Sequence, residues 1–133
     1  NSHFFPALIK KVDKLKQGNI NKLMLWGNGK AKREIIYVDD LANACVYFMN
    51  KKTKDFLINI GTGEDHSIKY YAELIVKNIL PKKKIFIKYD KSKPNGTPRK
   101  VLDVSLAKKY GWKAKNDLNK SILKTYNSYL MNI

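Results

Sequence analysis

Of 27 basic side chains in 133 residues, only two are arginine, Arg33 and Arg99, and both lie beside turn-forming residues. A guanidinium offers a planar fork that pairs bidentately with phosphate or carboxylate, which an ammonium cannot imitate. A chain that uses lysine at the other 25 basic positions but keeps arginine at these two has a reason to do so. Residue type alone leaves two reasons open: a phosphate site, or two structural ion pairs. Arg99 sits in "DKSKPNGTPRKVLDVS", residues 90–105. There Pro94 and Pro98 stiffen the chain, and Asn95-Gly96 allows a sharp turn between them. Arg99 and Lys100 therefore leave the loop in a fixed direction.

His3 precedes the first helix in a polar start and reads either as a surface histidine or as a general acid/base, which suits a side chain titrating near neutrality. His66 has no partner at metal spacing, and one cysteine with two distant histidines does not make a zinc site. Cys45 falls on the apolar stripe of its helix and reads as core. No Ser-His-Asp or Cys-His arrangement can be assembled. Tyr47, Tyr70 and Tyr71 read as packing aromatics. Gly61-Thr62-Gly63 after an apolar run begins like a dinucleotide-binding turn, but the third glycine position is His66 and the downstream acid is missing, so it reads as a tight strand-to-helix turn. Asp39-Asp40 reads as a helix N-terminus rather than a catalytic pair.

The net charge is +16, which invites a nucleic-acid reading. The lysines, however, are spread along the whole chain. With 25 Lys, 13 Asn and 13 Ile against 2 Arg, A+T-rich codon usage accounts for much of the excess. The positive field still favours an anionic ligand. A single cysteine excludes an internal disulfide and suits a reducing, cytoplasmic setting. No apolar run is long enough for a membrane span, and no secretory signal is legible.

These residues need positioning. Phe5, Leu8, Ile9, Val12 and Leu15 recur at helical spacing from Pro6 to a stop at Gly18. "KLMLWG" (22–27) and "REIIYV" (33–38) read as strands around the turn Gly27-Asn28-Gly29-Lys30. Asp39 or Asp40 caps a helix with Leu41, Ala44, Cys45, Phe48 and Met49 inward. "DFLINIG" (55–61) reads as a strand covered on both faces, as in parallel sheets. Ser67 caps a helix burying Ile68, Tyr71, Ala72, Ile75 and Ile79. "KIFIKY" (84–89) is a strand; a short helix at 105–110 ends at Gly111-Trp112. Asp117 caps a last helix with Leu118, Ile122, Tyr126, Tyr129 and Leu130 inward. The order α-β-β-α-β-α-β-α-α describes an α/β chain with small mixed sheets and five helices. It is incomplete as a fold, because residues 56–60 have no strand neighbours, and it predicts a piece of a larger α/β protein.

The segments "SHFFPALIKK", "LWGNGKAKREIIYVDDLANA", "INIGTGEDHSIKYYAELI" and "SKPNGTPRKVLDVS", followed by "GW", resemble in that order the C-terminal part of the GDP-L-fucose synthase branch of the extended short-chain dehydrogenase/reductase family, within the NAD-dependent epimerase/dehydratases. "REIIYVDDLANA" and "INIGTG" are shared by many nucleotide-sugar epimerases and dehydratases. "WGNGKAKRE" and "SKPNGTPRKVLD" are more specific to the branch.

The resemblance implies a 3,5-epimerase/4-reductase that makes GDP-L-fucose from GDP-4-keto-6-deoxy-mannose with NADPH. An N-terminal Rossmann domain, absent here, would bind NADP(H) and carry the hydride-transfer residues. Residues 1–133 would be the substrate-binding domain, with residues 56–60 a strand joining the missing sheet, and the fragment alone inactive. By the same resemblance, His3 is the acid/base near the nicotinamide. Lys11, Trp26 and Arg33 match GDP-sugar-binding positions, and Asn95 stands where the family usually shows Asp. Arg99 and Lys100 are candidate diphosphate or loop-anchoring groups, which makes the loop a clamp over a diphosphate. The full-length enzyme would be a homodimer. Two other readings are weighed beside it: the same half of another nucleotide-sugar epimerase, dehydratase or reductase, and a basic nucleic-acid-binding module.

Overall fold

The computed structural model describes residues 3–132. Five helices and five short strands alternate: α1 (Phe4–Gln17), β1 (Lys22–Trp26), β2 (Lys32–Arg33), α2 (Val38–Met49), β3 (His66–Ser67), α3 (Ile68–Ile79), β4 (Phe86–Asp90), β5 (Arg99–Lys100), α4 (Ser105–Lys109) and α5 (Leu118–Met131). The strands form two small sheets. β1 pairs in parallel with β4, from Lys22 opposite Phe86 to Trp26 opposite Asp90. β2 is the centre of the other, antiparallel to β3 and parallel to β5.

One core unites α1, β1, α3 and α5. Leu8, Ile9, Val12 and Leu15 line one side of α1, as their spacing predicts, and meet Tyr71, Ala72, Ile75 and Ile79 of α3 and Ile122 and Tyr126 of α5. Leu23 and Leu25 fill the floor, because strict alternation on β1 turns Met24 and Trp26 outward. Ser67 and Asp117 cap α3 and α5 through their side chains, accepting from the N–H of Tyr70 and Lys120. On α5, Leu130 is exposed rather than inward. A second, smaller cluster gathers Ala44, Ala107 and Trp112, and Trp112 donates its indole N–H to Asn43 at 3.0 Å.

Further expectations from sequence need correction. The strand expected over 33–38 is confined to Lys32–Arg33, because β3 and β5, its partners, are each two residues long. Residues 55–61 pair with no strand within this chain, since none lies beside them among the described residues, and Phe56 and Leu57 are exposed. The N-cap of α2 is Tyr37, not Asp39 or Asp40. Asp40 is buried and accepts instead from the main-chain N–H groups of Lys115 and Asn116, at 3.0 and 3.1 Å. Of the expected inward stripe on α2, Ala44 is buried and Phe48 half-buried, whereas Leu41, Cys45 and Met49 are exposed. Cys45 is therefore not a core residue here: no described element covers that face of the helix.

Candidate functional site

The end of β1 and the turn after it are bound to the 90–105 loop. Gly27 continues the β1–β4 ladder with its N–H on the carbonyl of Asp90, at 2.9 Å, and then turns with φ of 68°. One residue on, the N–H of Asn28 donates to the Asn95 side-chain oxygen at 2.7 Å. Gly27 must be glycine for two reasons: a Cβ there would lie 2.3 Å from that same oxygen, and its backbone is left-handed.

Arg33 makes the second tie. Its Nη1 donates both to the carbonyl of Lys32 and, across 64 residues, to that of Thr97, each at 2.6 Å. Nη1 alone makes both bonds, so the rest of the fork stays available. Between these ties Gly96 turns with φ of 70°, as the Asn-Gly pair predicts. Main-chain bonds from Lys32 N–H to Pro98 and from Glu34 N–H to Lys100 extend the seam along β5.

The other expected residues distribute as follows. Lys11 of α1 donates to the carbonyl of Met24 at 2.9 Å, on the same strand as Trp26. Trp26 is 62% exposed, with the Lys93 ammonium over its ring at 5.8 Å. Lys11, Trp26, Arg33 and Asn95 thus line one continuous seam from α1 across β1 to the loop. Arg99 is occupied: Nε and Nη2 grip the two oxygens of Asp65 at 2.6 and 3.1 Å, the ion-pair alternative left open by its residue type. That guanidinium holds the Asp65 carboxyl below the ordinary value of 3.8. Lys100 is exposed beside it on β5.

His3 is exposed at the start of α1 and lines a different feature, a cavity of about 1220 Å³ shared with Tyr37, Asp40, His66 and Tyr70. The link between cavity and seam is β2–β3, where Arg33 stands opposite His66. His66 stacks on Tyr70 with ring centroids 4.3 Å apart. Tyr71, fully buried below, donates its hydroxyl to the carbonyl of Arg33 at 2.8 Å, and burial pushes that hydroxyl up to about 12.

Sequence reasoning missed Glu34. Its Oε1 accepts from the N–H groups of Thr62 and Gly63, at 2.5 and 2.7 Å, and its Oε2 from the N–H of Leu102 at 2.7 Å. The only signal was a carboxylate directly after Arg33 in an otherwise apolar stretch. This arrangement also decides the Gly61-Thr62-Gly63 turn. The amides a dinucleotide turn would present to phosphate are already donated to Glu34, so the turn does not fit a cofactor diphosphate. Among the described residues no group of three or more His, Cys, Asp or Glu could hold a metal ion. No described helix is long and apolar enough to cross a membrane.

Comparison with known proteins now bears on this geometry. Residues 1–61 match the NAD dependent epimerase/dehydratase family. GDP-L-colitose synthase of Yersinia pseudotuberculosis is 42% identical over 131 residues, covering 98% of this chain and 42% of that protein. GDP-L-fucose synthase 1 of Arabidopsis thaliana is 36% identical over 133 residues, covering 100% of this chain and 41% of that protein. The chain is similar to GDP-L-fucose synthases throughout its length. A solved GDP-mannoheptose C4 reductase from Campylobacter jejuni with NADP bound superposes with a TM-score of 0.76 at 33% identity, covering 97% of this chain and 45% of that one. The fold is thus that of part of such a reductase, and the chain spans about two fifths of the length of the relatives it matches.

Proposed function

We propose that this chain is the GDP-sugar-binding part of an NADP-dependent epimerase/reductase that converts GDP-4-keto-6-deoxy-mannose to GDP-L-fucose. The observation that carries the reading is the seam. The two segments that resemble the GDP-L-fucose synthase branch most specifically, 26–34 and 92–103, are the two that the structure ties together through Asn28–Asn95 and Arg33–Thr97. Their meeting makes an open, cationic strip with one exposed indole, which suits a nucleoside diphosphate: Lys11 and Arg33 face the anion and Trp26 gives the apolar wall. Arg33 is the better diphosphate ligand of the two arginines, since Arg99 spends its fork on Asp65. Arg99 is then the loop anchor, with Lys100 free beside it.

His3 is the acid/base. Inverting a carbon next to a keto group requires a proton taken from one face and one delivered to the other, and a histidine at the mouth of a large cavity can deliver it. The remainder of the full-length protein supplies the NADP(H) site, a Rossmann sheet that residues 56–60 join, and the contacts of a homodimer; the enzyme is cytoplasmic. The isolated chain, without a cofactor site, binds but does not reduce.

A closely related product is the second reading, for which the 42% identity to a GDP-L-colitose synthase speaks. The test is calorimetric titration of the full-length protein with GDP-, UDP-, CDP- and dTDP-sugars, followed by product analysis. Selective binding of the GDP-sugar and release of GDP-L-fucose are expected. Preference for another base would sink the reading; a different GDP-linked product would select the second.

A further inference from the structure

We infer that Glu34 is a positioning residue for the anionic ligand of the 90–105 loop: it fixes the strand bearing Arg99 and Lys100 to the Gly61–Gly63 turn. The inference rests on the GDP-sugar reading of the loop. Three chain segments meet on one carboxylate. The 61–63 turn gives Oε1 two main-chain N–H bonds and the Thr62 hydroxyl at 3.2 Å; the far end of the loop gives Oε2 the N–H of Leu102. The Glu34 main chain completes the grip, its N–H donating to the carbonyl of Lys100 at 3.1 Å. One residue thus grips the chain on either side of Val101, at the Lys100 carbonyl and the Leu102 N–H, directly after Arg99.

Gly61 shows how close the fit is. A Cβ on Gly61 would stand 2.3 Å from Oε1 and 3.0 Å from the carboxyl carbon, so glycine there is required by the carboxylate. Glu34, Gly61, Lys100 and Leu102 all line one pocket of about 450 Å³, so release of the carboxylate changes a surface that Lys100 shares. A carboxylate suits the place because each oxygen meets only donors, and it accepts on both without presenting a hydrogen. An amide cannot. In Glu34→Gln the carbonyl oxygen goes to the three donors of the 61–63 turn, and the NH₂ group is left facing the N–H of Leu102. The variant keeps the turn and frees the loop.

The experiment compares the full-length wild type with Glu34→Gln by hydrogen–deuterium exchange mass spectrometry and by calorimetric GDP titration. The expected result is exchange at least about tenfold faster in the peptide containing Leu102, unchanged exchange in the peptide containing Thr62 and Gly63, and GDP affinity lower by about tenfold. Gly61→Ala, which displaces the carboxylate from the opposite side, should accelerate the Leu102 peptide likewise. Unchanged Leu102 exchange in Glu34→Gln overturns the inference, as does a freed loop with undiminished GDP affinity. Uniformly faster exchange in Glu34→Gln also overturns it, since that marks a general structural role. If the wild type itself ignores GDP, the GDP-sugar reading falls. Whether Glu34 fixes the loop is then decided by the exchange measurement alone.

Discussion

The N–H of Asn28 and the side-chain oxygen of Asn95 lie 2.7 Å apart, although 67 residues separate them in sequence. That bond places a loop tip on a β-turn, and it uses Asn95 as an acceptor. Asp accepts equally well and carries charge that strengthens the bond. Asn95→Asp should therefore keep the loop seated and bind GDP-sugar as tightly or more tightly, whereas Asn95→Ala loses about 1 kcal/mol of loop attachment. Calorimetry on both variants checks the pair; much weaker binding by the Asp variant would show that Asn95 is misplaced at the ligand.

Arg33→Lys separates charge from shape. A lysine keeps the charge near the loop but cannot reach the carbonyls of Lys32 and Thr97 from one planar nitrogen. The expected loss is about 1–2 kcal/mol in GDP binding, a five- to thirtyfold weaker dissociation constant, with little change in melting temperature. Wild-type affinity in this variant would reduce Arg33 to a point charge.

His3→Asn should leave GDP-sugar binding intact and lower epimerisation by about a hundredfold or more, the usual worth of a placed acid/base. Solvent deuterium incorporation at the inverted carbons reads this step apart from reduction. Incorporation at the wild-type rate would remove His3 from the chemistry.

The Asp65–Arg99 pair predicts an acid limit for loop order. The Asp65 carboxyl is depressed below 3.8 by the Arg99 hydrogen bond. Its contribution is therefore complete above that unfolded-state value and is lost as pH falls through the lower folded value. Asp65→Asn should make proteolysis at Val101 and Leu102, beside Arg99 and Lys100, insensitive to acid in that window, while in the wild type cleavage rises there. An acid-active protease and mass spectrometry suffice to measure it.

At the alkaline end the sign reverses. Burial, reinforced by the 2.6 Å hydrogen bond from its hydroxyl to Asp13, pushes Tyr126 up to about 12, and burial pushes Tyr71 equally far. The unfolded chain ionises near 10, so stability is complete below that value and falls as pH rises toward 12. Tyr126→Phe should flatten that fall even as it weakens the fold at neutral pH, which denaturant titrations across the range will show.

The legible part of this molecule was the part governed by local rules. The α1 and α3 stripes, the alternation of β1, the caps Ser67 and Asp117 and the turn at Asn95-Gly96 each follow from residues a few positions apart, and each is present. Failures came where an element depends on what lies beside it. The apolar runs at 55–61 and on α2 read as buried, but burial is a property of neighbours, and the described residues supply none for Phe56, Leu57 or Met49. The site divides similarly. The types of Arg33 and Arg99 announced that a fork was needed, but not for what. Asp65, 34 residues from Arg99, was invisible as its partner, and Glu34 was hidden because its three chain segments converge only in space.

The parallel pairings have a consequence for the order of events at the ribosome. β1 cannot find β4, nor β2 find β5, until more than sixty further residues have been made, as the 64-residue span from Arg33 to Thr97 illustrates. Until then α3 can cover α1, but β1 and β2 wait without their parallel partners, a long loop closing late. The seam that holds the loop is therefore among the last parts to form during synthesis. A nascent chain stalled just before residue 95 carries most of the core sequence but neither Asn95 nor Thr97, the two residues that seat the loop.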